Sequence, residues 1–151
     1  MIAILRLVRF QNLMIIAATQ YIMRYCIIFP FLNINNFELQ LGNFHFALLV
    51  LATIFIAAAG YVINDYFDTG TDRVNRPSDV VIDNSIKRRQ AMLIHFILNF
   101  TGIALGIYLS FYIGVSQLSL VFVLATGLLW FYSTHYKRQF LVGNFVVSIM
   151  T

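Results

Sequence analysis

The chain has 151 residues, of which 60% are hydrophobic and 11% charged, against roughly 45–50% and 25% in soluble domains; that balance excludes an ordinary water-soluble fold. Its net charge of +4 does not indicate nucleic acid, because such binding needs an exposed basic face and most of these residues sit in apolar blocks. Cys26 is the single cysteine, so neither a disulfide framework nor a cysteine-held metal is available.

In chain order, Arg6 and Arg9 precede a first apolar block at 13–32, long enough to cross a hydrocarbon core with its ~20 residues. The block continues past Arg24 with no small-residue cleavage site, so it reads as a retained helix and not as a signal peptide. Arg24 must avoid lipid, since a charge at mid-bilayer costs at least ~2.5–3.5 kcal/mol. Asn12, Thr19, Gln20 and Arg24 fall on one half of the helix as a polar stripe, which either bonds a neighbouring helix or lines a substrate cavity. The second block spans 44–63 and ends in Ala57-Ala58-Ala59-Gly60; the third, 91–113, carries Gly102-x-x-x-Gly106. Both small-residue patterns permit close helix approach. A fourth block covers 118–136, and a fifth starts at 140. By residue 151 the fifth would reach only about 18 Å, so the chain is expected to stop inside a helix. The fold class is therefore all-α: a multi-pass transmembrane bundle of four complete helices and the start of a fifth, with 1–151 forming one N-terminal part of a domain.

Basic residues concentrate in alternate connections. Arg6 and Arg9 lie before the first block, Arg73, Arg76, Lys87, Arg88 and Arg89 between the second and third, and Lys137 and Arg138 after the fourth; the stretches 33–43 and 114–117 have none. Lysine and arginine favour the cytoplasmic side, which predicts a cytoplasmic N-terminus and a cytoplasmic Asp-rich loop at 64–90.

The densest chemistry follows the second block, in Asn64-Asp65-Tyr66-Phe67-Asp68-Thr69-Gly70-Thr71-Asp72-Arg73-Val74-Asn75-Arg76-Pro77. If the helix continues, Asp65, Asp68 and Asp72 lie within about 60° of one another around its axis. Three carboxylates on one edge repel and raise one another's pKa unless a cation neutralises them. Mg2+ takes oxygen ligands, keeps several waters and is typically held by one or two carboxylates plus substrate phosphates. The competing reading is a solvated loop in which Arg73 and Arg76 pair with the aspartates, each pair worth ~0–1 kcal/mol. Pro77 and the restriction on the residue before it end the helix near Arg76, leaving Asp79 and Asp83 in a separate solvated loop.

Here the chain resembles a known family. Asn64-Asp65-x-x-Asp68-x-x-x-Asp72 is similar to the first aspartate-rich motif of the UbiA superfamily of intramembrane prenyltransferases. Tyr132-Ser133-x-x-x-Lys137-Arg138 resembles the motif after their fourth helix, with Tyr136 where Leu is usual. The likeness runs from Arg6 and Asn12 to Gly143-Asn144, about the first half of a typical member. It implies a nine-helix bundle with a central cavity, Mg2+ as cofactor, and transfer of a polyprenyl group from a prenyl diphosphate. On that resemblance Asp65, Asp68 and Asp72 are the catalytic, metal-holding residues, and Asn64, Lys137, Arg138 and Arg76 bind the diphosphate. Lys137 and Arg138 also serve the simpler role of positive-inside anchors. The Asn75-Arg76-Pro77 ending is most like members that act on geranylgeranylglycerol phosphate, an ether-lipid acceptor; an aromatic acceptor of quinone, haem or chlorophyll synthesis is the alternative. The second aspartate-rich motif falls outside these residues, so the chain alone is expected to be inactive and to need the C-terminal half of the same protein as partner, besides membrane lipids.

Other features invite plainer readings. Trp130, Phe131 and Tyr132 sit near a membrane boundary and read as interface anchors. His45, His95 and His135 lack metal-ligand spacing. A transporter or channel piece using Arg24 and the aspartates, or an inert membrane fragment, are the readings from other classes.

Overall fold

The structure, a computed structural model, describes residues 2–77, 80–135 and 137. Expectations for Arg138, Tyr136, Asp79 and the fifth block at 140–151 lie outside the described residues.

A short apolar helix, α1 (Ile2–Leu7), is separated from the next by Arg9, which adopts left-handed backbone angles of φ 51° and ψ 56°. Then α2 (Phe10–Ile22), a π-helical segment (Met23–Ile28) and α3 (Phe29–Ile34) follow without interruption. Together they form one 25-residue stretch, longer at both ends than the predicted 13–32. The wide π turns precede Pro30, whose missing N–H and bulky ring disturb the i−4 ladder.

The longest helix, α4, runs Asn43–Asn75 over 33 residues, about 50 Å. The first twelve positions of the loop drawn at 64–90 are thus helical, as an Asp-bearing helix ending near Arg76 requires; hydropathy misses them because polar residues at a helix end leave no apolar signal. Only at Arg76, with φ −145° and ψ 64°, does the helix stop, where the following Pro77 disfavours helical geometry. The loop resumes as helix at α5 (Arg88–Ile113), where the Gln90 side chain accepts a hydrogen bond from the Lys87 N–H at 3.1 Å. Gly114, at φ 80°, ends that helix in a left-handed conformation that suits glycine. Last comes α6 (Leu118–Thr134), at 17 residues shorter than the predicted 118–136. Three stretches, Phe10–Ile34, Asn43–Asn75 and Arg88–Ile113, are long and apolar enough to cross a membrane, and α6 is a shorter apolar helix. These four apolar stretches are in keeping with the expected all-α, multi-pass bundle.

The bundle packs around α4. A Cβ on Gly102 would lie 2.7 Å from Ile56 Cγ1 and 3.1 Å from the Ala52 carbonyl, and one on Gly106 would lie 2.3 Å from the Phe122 ring. Gly102 therefore brings the backbones of α5 and α4 close, while Gly106 makes room on α5 for the Phe122 ring of α6. Ala58 and Ala59 are buried. His95 is packed, not metal-binding: its Nδ1 lies 2.9 Å from the Ala59 carbonyl and its Nε2 3.0 Å from the Asn99 amide. The carbonyl can only accept, so Nδ1 carries the proton and Nε2 accepts from Asn99.

The polar stripe on the first helix bonds to α4. Gln20 donates to Thr53 Oγ1 at 2.7 Å. Arg24, 3% exposed, donates to the Leu41 carbonyl at 2.7 Å and to Asn43 Oδ1 at 3.0 Å, with its guanidinium 4.3 Å from the Phe46 ring. Arg24 thus sits beside the start of α4 and not at mid-helix among lipid. At the opposite end, Ile82 and Ile86 of the loop are buried with Leu7, Val8 and Val62, and Asp83 pairs with Arg73 at 2.8 Å. The expectation of a merely solvated Asp83 is corrected by that pair, which ties the loop to the last turns of α4.

Candidate functional site

Because α4 stays helical to Asn75, its last turns present Asn64, Asp65, Asp68 and Asp72 to one polar cavity of about 910 Å³. The same cavity is lined by Arg6, Arg9, Asn12, Arg76 and Lys137. Of the residues singled out from sequence, all that are described meet here; Arg138 is not described.

Each of the first two aspartates has a cationic partner from a distant part of the chain. The Arg9 guanidinium donates to Asp65 Oδ1 at 2.8 Å and lies 5.1 Å from the Tyr61 ring. The Lys137 ammonium is paired with Asp68 Oδ2 and also donates to Asn64 Oδ1 at 3.0 Å. Asn64 in turn donates from its amide to Asp68 Oδ2 at 3.0 Å, closing a three-residue ring across 73 residues of sequence. The Thr69 hydroxyl is buried and donates to the Asp65 carbonyl at 2.9 Å, which keeps a polar residue from competing for the cavity. Arg76 lies exposed at the rim. Arg73 turns to Asp83, so the competing reading in which it neutralises the aspartates is not what the structure shows.

Sequence reasoning treats Arg9 only as a topological charge. Its role at Asp65 depends on the left-handed turn between α1 and α2, and a non-glycine residue in that conformation costs of order 1–2 kcal/mol. No local pattern announces such a turn; the resemblance starting at Arg6 and Asn12 is the one signal that marks the region.

A second, apolar cavity of about 570 Å³ shares Arg9, Asn64 and Lys137 with the first and continues along α4 and α6 through Gly60, Ala57 and Thr53. From Asn64 to Thr53 it follows α4 for about 16 Å. Its volume falls within the ~300–1,000 Å³ usual for small-molecule sites. Tyr132 and Ser133 line it, while Trp130 packs 5.3 Å from His95 and 6.1 Å from Phe67. The expectation that Trp130 and Tyr132 are interface anchors is therefore corrected: one is a packing residue and the other faces the cavity.

The polar cavity sets three carboxylates against four cationic side chains, Arg6, Arg9, Arg76 and Lys137. Such a balance accepts a polyanion that brings its own counter-cation. Among the described residues no three His, Cys, Asp or Glu side chains close on a common point. The donor set nevertheless fits Mg2+: it is all oxygen, and one or two carboxylates completed by water and substrate phosphates is that ion's habitual shell.

Comparison with known proteins finds relatives over most of the chain. The chain is 38% identical over 104 residues to digeranylgeranylglyceryl phosphate synthase of Sulfurisphaera tokodaii, covering 67% of this chain and 36% of that protein. It is 36% identical over 112 residues to the enzyme of that name from Methanothermobacter thermautotrophicus, covering 73% and 38%. A solved structure described as digeranylgeranylglyceryl phosphate synthase in membranes superposes with a TM-score of 0.75 at 28% identity, covering 96% of this chain and 47% of that one. The chain thus spans less than half the length of these relatives. Residues 35–151 match the UbiA prenyltransferase family, and with that match extending over the aspartate edge, Lys137 and most of the lining of the apolar cavity, the chain belongs to that family.

Proposed function

We propose that the protein is an integral membrane prenyltransferase that moves a prenyl group from a prenyl diphosphate onto geranylgeranylglycerol phosphate. The observation that carries this reading is the adjacency of the two cavities: an apolar one, lined along about 16 Å of α4, shares Arg9, Asn64 and Lys137 with the polar one that Asp65, Asp68 and Asp72 line. That shape matches an amphiphile with a long apolar tail and a multiply charged head. The relatives named digeranylgeranylglyceryl phosphate synthase support the glycerol phosphate acceptor over an aromatic one.

In this reading Asp65, Asp68 and Asp72 would hold Mg2+, and Asn64 would bind the diphosphate. When bound, the ion supplies charge neutralisation to the departing group. Lys137 lies between Asn64 and Asp68, positioned to offset the negative charge that grows on the leaving oxygen. Arg9 and Arg76, which line the same cavity, would flank that head group. The bond between donor C1 and oxygen breaks, its electrons leave with the diphosphate, and the acceptor hydroxyl oxygen bonds to C1 with loss of its proton. The apolar cavity keeps water from reaching the allylic centre first. The aspartate end faces the cytoplasm, as the basic connections favour.

The test incubates membranes containing the protein in its full reading frame with Mg2+, labelled geranylgeranyl diphosphate and a panel of acceptors. Label should pass to geranylgeranylglycerol phosphate and should not do so in Asp68→Ala. Label on an aromatic acceptor instead would reassign the pathway, and unchanged transfer by Asp68→Ala would remove the aspartates' role.

A further inference from the structure

The apolar cavity reaches Thr53 at its far end, and small side chains line its middle. At that end, Thr53 Oγ1 receives the Gln20 amide at 2.7 Å and donates to the Val50 carbonyl at 2.8 Å. This polar pair is already satisfied, so an apolar tail gains nothing by displacing it, and separating the pair would leave half-buried polar groups unmatched. Phe122 closes the same end, its ring seated in the notch left by the absent Cβ of Gly106.

The middle is set by small side chains. A Cβ on Gly60 would already lie 3.1 Å from the Leu129 side chain, so α4 and α6 are at van der Waals contact at that level. One turn deeper, in the same register, the cavity wall is formed by Ala57 on α4 and Ala125 on α6. Any larger residue at either position would take up the space through which a tail must pass to reach Thr53. Ala58 and Ala59, by contrast, are buried in packing. Ala57 also packs against the core from its partly buried position, and it is the one of these three alanines that lines the cavity.

We infer that this cavity measures the apolar tail, and that Ala57 and Ala125 are specificity-determining residues that admit long prenyl groups. The inference rests on the proposed prenyl diphosphate substrate. Ala57 lies seven residues from Asn64, about 10 Å along α4, so blocking it leaves room for a short tail and removes the deeper remainder.

The experiment measures binding of dimethylallyl, geranyl, farnesyl and geranylgeranyl diphosphate, with Mg2+, to the protein in its full reading frame in lipid nanodiscs. Wild type should bind more tightly with each added isoprene unit as more apolar surface leaves water. Ala57→Phe should leave the two shortest donors unchanged and weaken geranylgeranyl diphosphate by about tenfold or more, because the tail's end is no longer buried. Ala125→Leu should act in the same direction with a smaller effect and decides the matter if Ala57→Phe does not fold. Equal weakening at every length, or no weakening of the longest donor, would overturn the inference. Wild type that binds all four lengths equally would overturn it while leaving the proposed function standing; wild type that binds none would overturn the proposed function.

Discussion

Gly106→Ala isolates the packing that shapes the site. The new methyl carbon would stand 2.3 Å from Phe122 Cγ and 2.6 Å from both Cδ atoms. The clash involves the root of the ring, so a rotation of its far edge cannot relieve it. Either α5 and α6 separate or Phe122 leaves its notch and enters the apolar cavity. Overpacking of this kind costs ~1–3 kcal/mol, set against a helix-propensity gain of up to about 1 kcal/mol for replacing glycine by alanine. The net expectation is a loss of about 1–2 kcal/mol. Gly127 in α6 supplies the control, because a Cβ there meets nothing within 4 Å among the described residues; Gly127→Ala should be neutral or slightly stabilising. Equilibrium unfolding in mixed micelles, followed by helical circular dichroism, gives both values. Adding Phe122→Leu to Gly106→Ala should recover most of the loss, as coupled neighbours do. If Gly106→Ala and Gly127→Ala behave alike, or if shortening Phe122 brings no recovery, the seating of the Phe122 ring against Gly106 is wrong.

Lys137→Met removes a cation that bonds both Asn64 and Asp68. Hydrogen bonds to charged groups are worth ~1.5–3 kcal/mol, so calorimetric titration should show prenyl diphosphate binding weakened roughly ten- to hundredfold, with little change in unfolding of this exposed site. Arg24→Met removes two hydrogen bonds and a ring contact at the start of α4. It should lower stability by about 1–3 kcal/mol while donor affinity stays at the wild-type value; weakened donor binding would mean that Arg24 serves the cavity and not only the helix pair. Arg9→Asn keeps a residue that tolerates the left-handed turn and removes the Asp65 ion pair. Such a partly exposed pair gives ~0–1 kcal/mol of stability, so the melting temperature should barely move while the affinity for prenyl diphosphate falls.

The aspartate edge is legible in the sequence because helix geometry fixes the azimuth of residues three and seven apart. The end of α4 is legible because Pro77 constrains Arg76. What the sequence does not carry belongs to tertiary structure. The pairing of Lys137 with Asp68 joins residues 69 apart, and Arg9 reaches Asp65 only through a backbone turn with no local signature. Hydropathy alone also places the end of the second helix at 63, since it registers where apolar residues stop and not where hydrogen bonding stops. Tyr132 shows the same limit: an aromatic near a boundary has the same appearance in sequence whether it faces lipid or a cavity. Arg24 marks a constraint correctly, as a charge that must find partners, while the partners themselves, Leu41 and Asn43, come from the start of another helix and the residues just before it.

The claim on which the rest depends is that Asp65, Asp68 and Asp72 hold a divalent cation jointly with a diphosphate head group. Mn2+ reports this directly, because its paramagnetic resonance signal changes on immobilisation. In nanodiscs holding the protein in its full reading frame, Mn2+ should bind weakly by itself and much more tightly once geranylgeranyl diphosphate is added, and replacing the three aspartates by asparagine should abolish that gain. Donor binding that is indifferent both to the cation and to the three replacements would contradict the account.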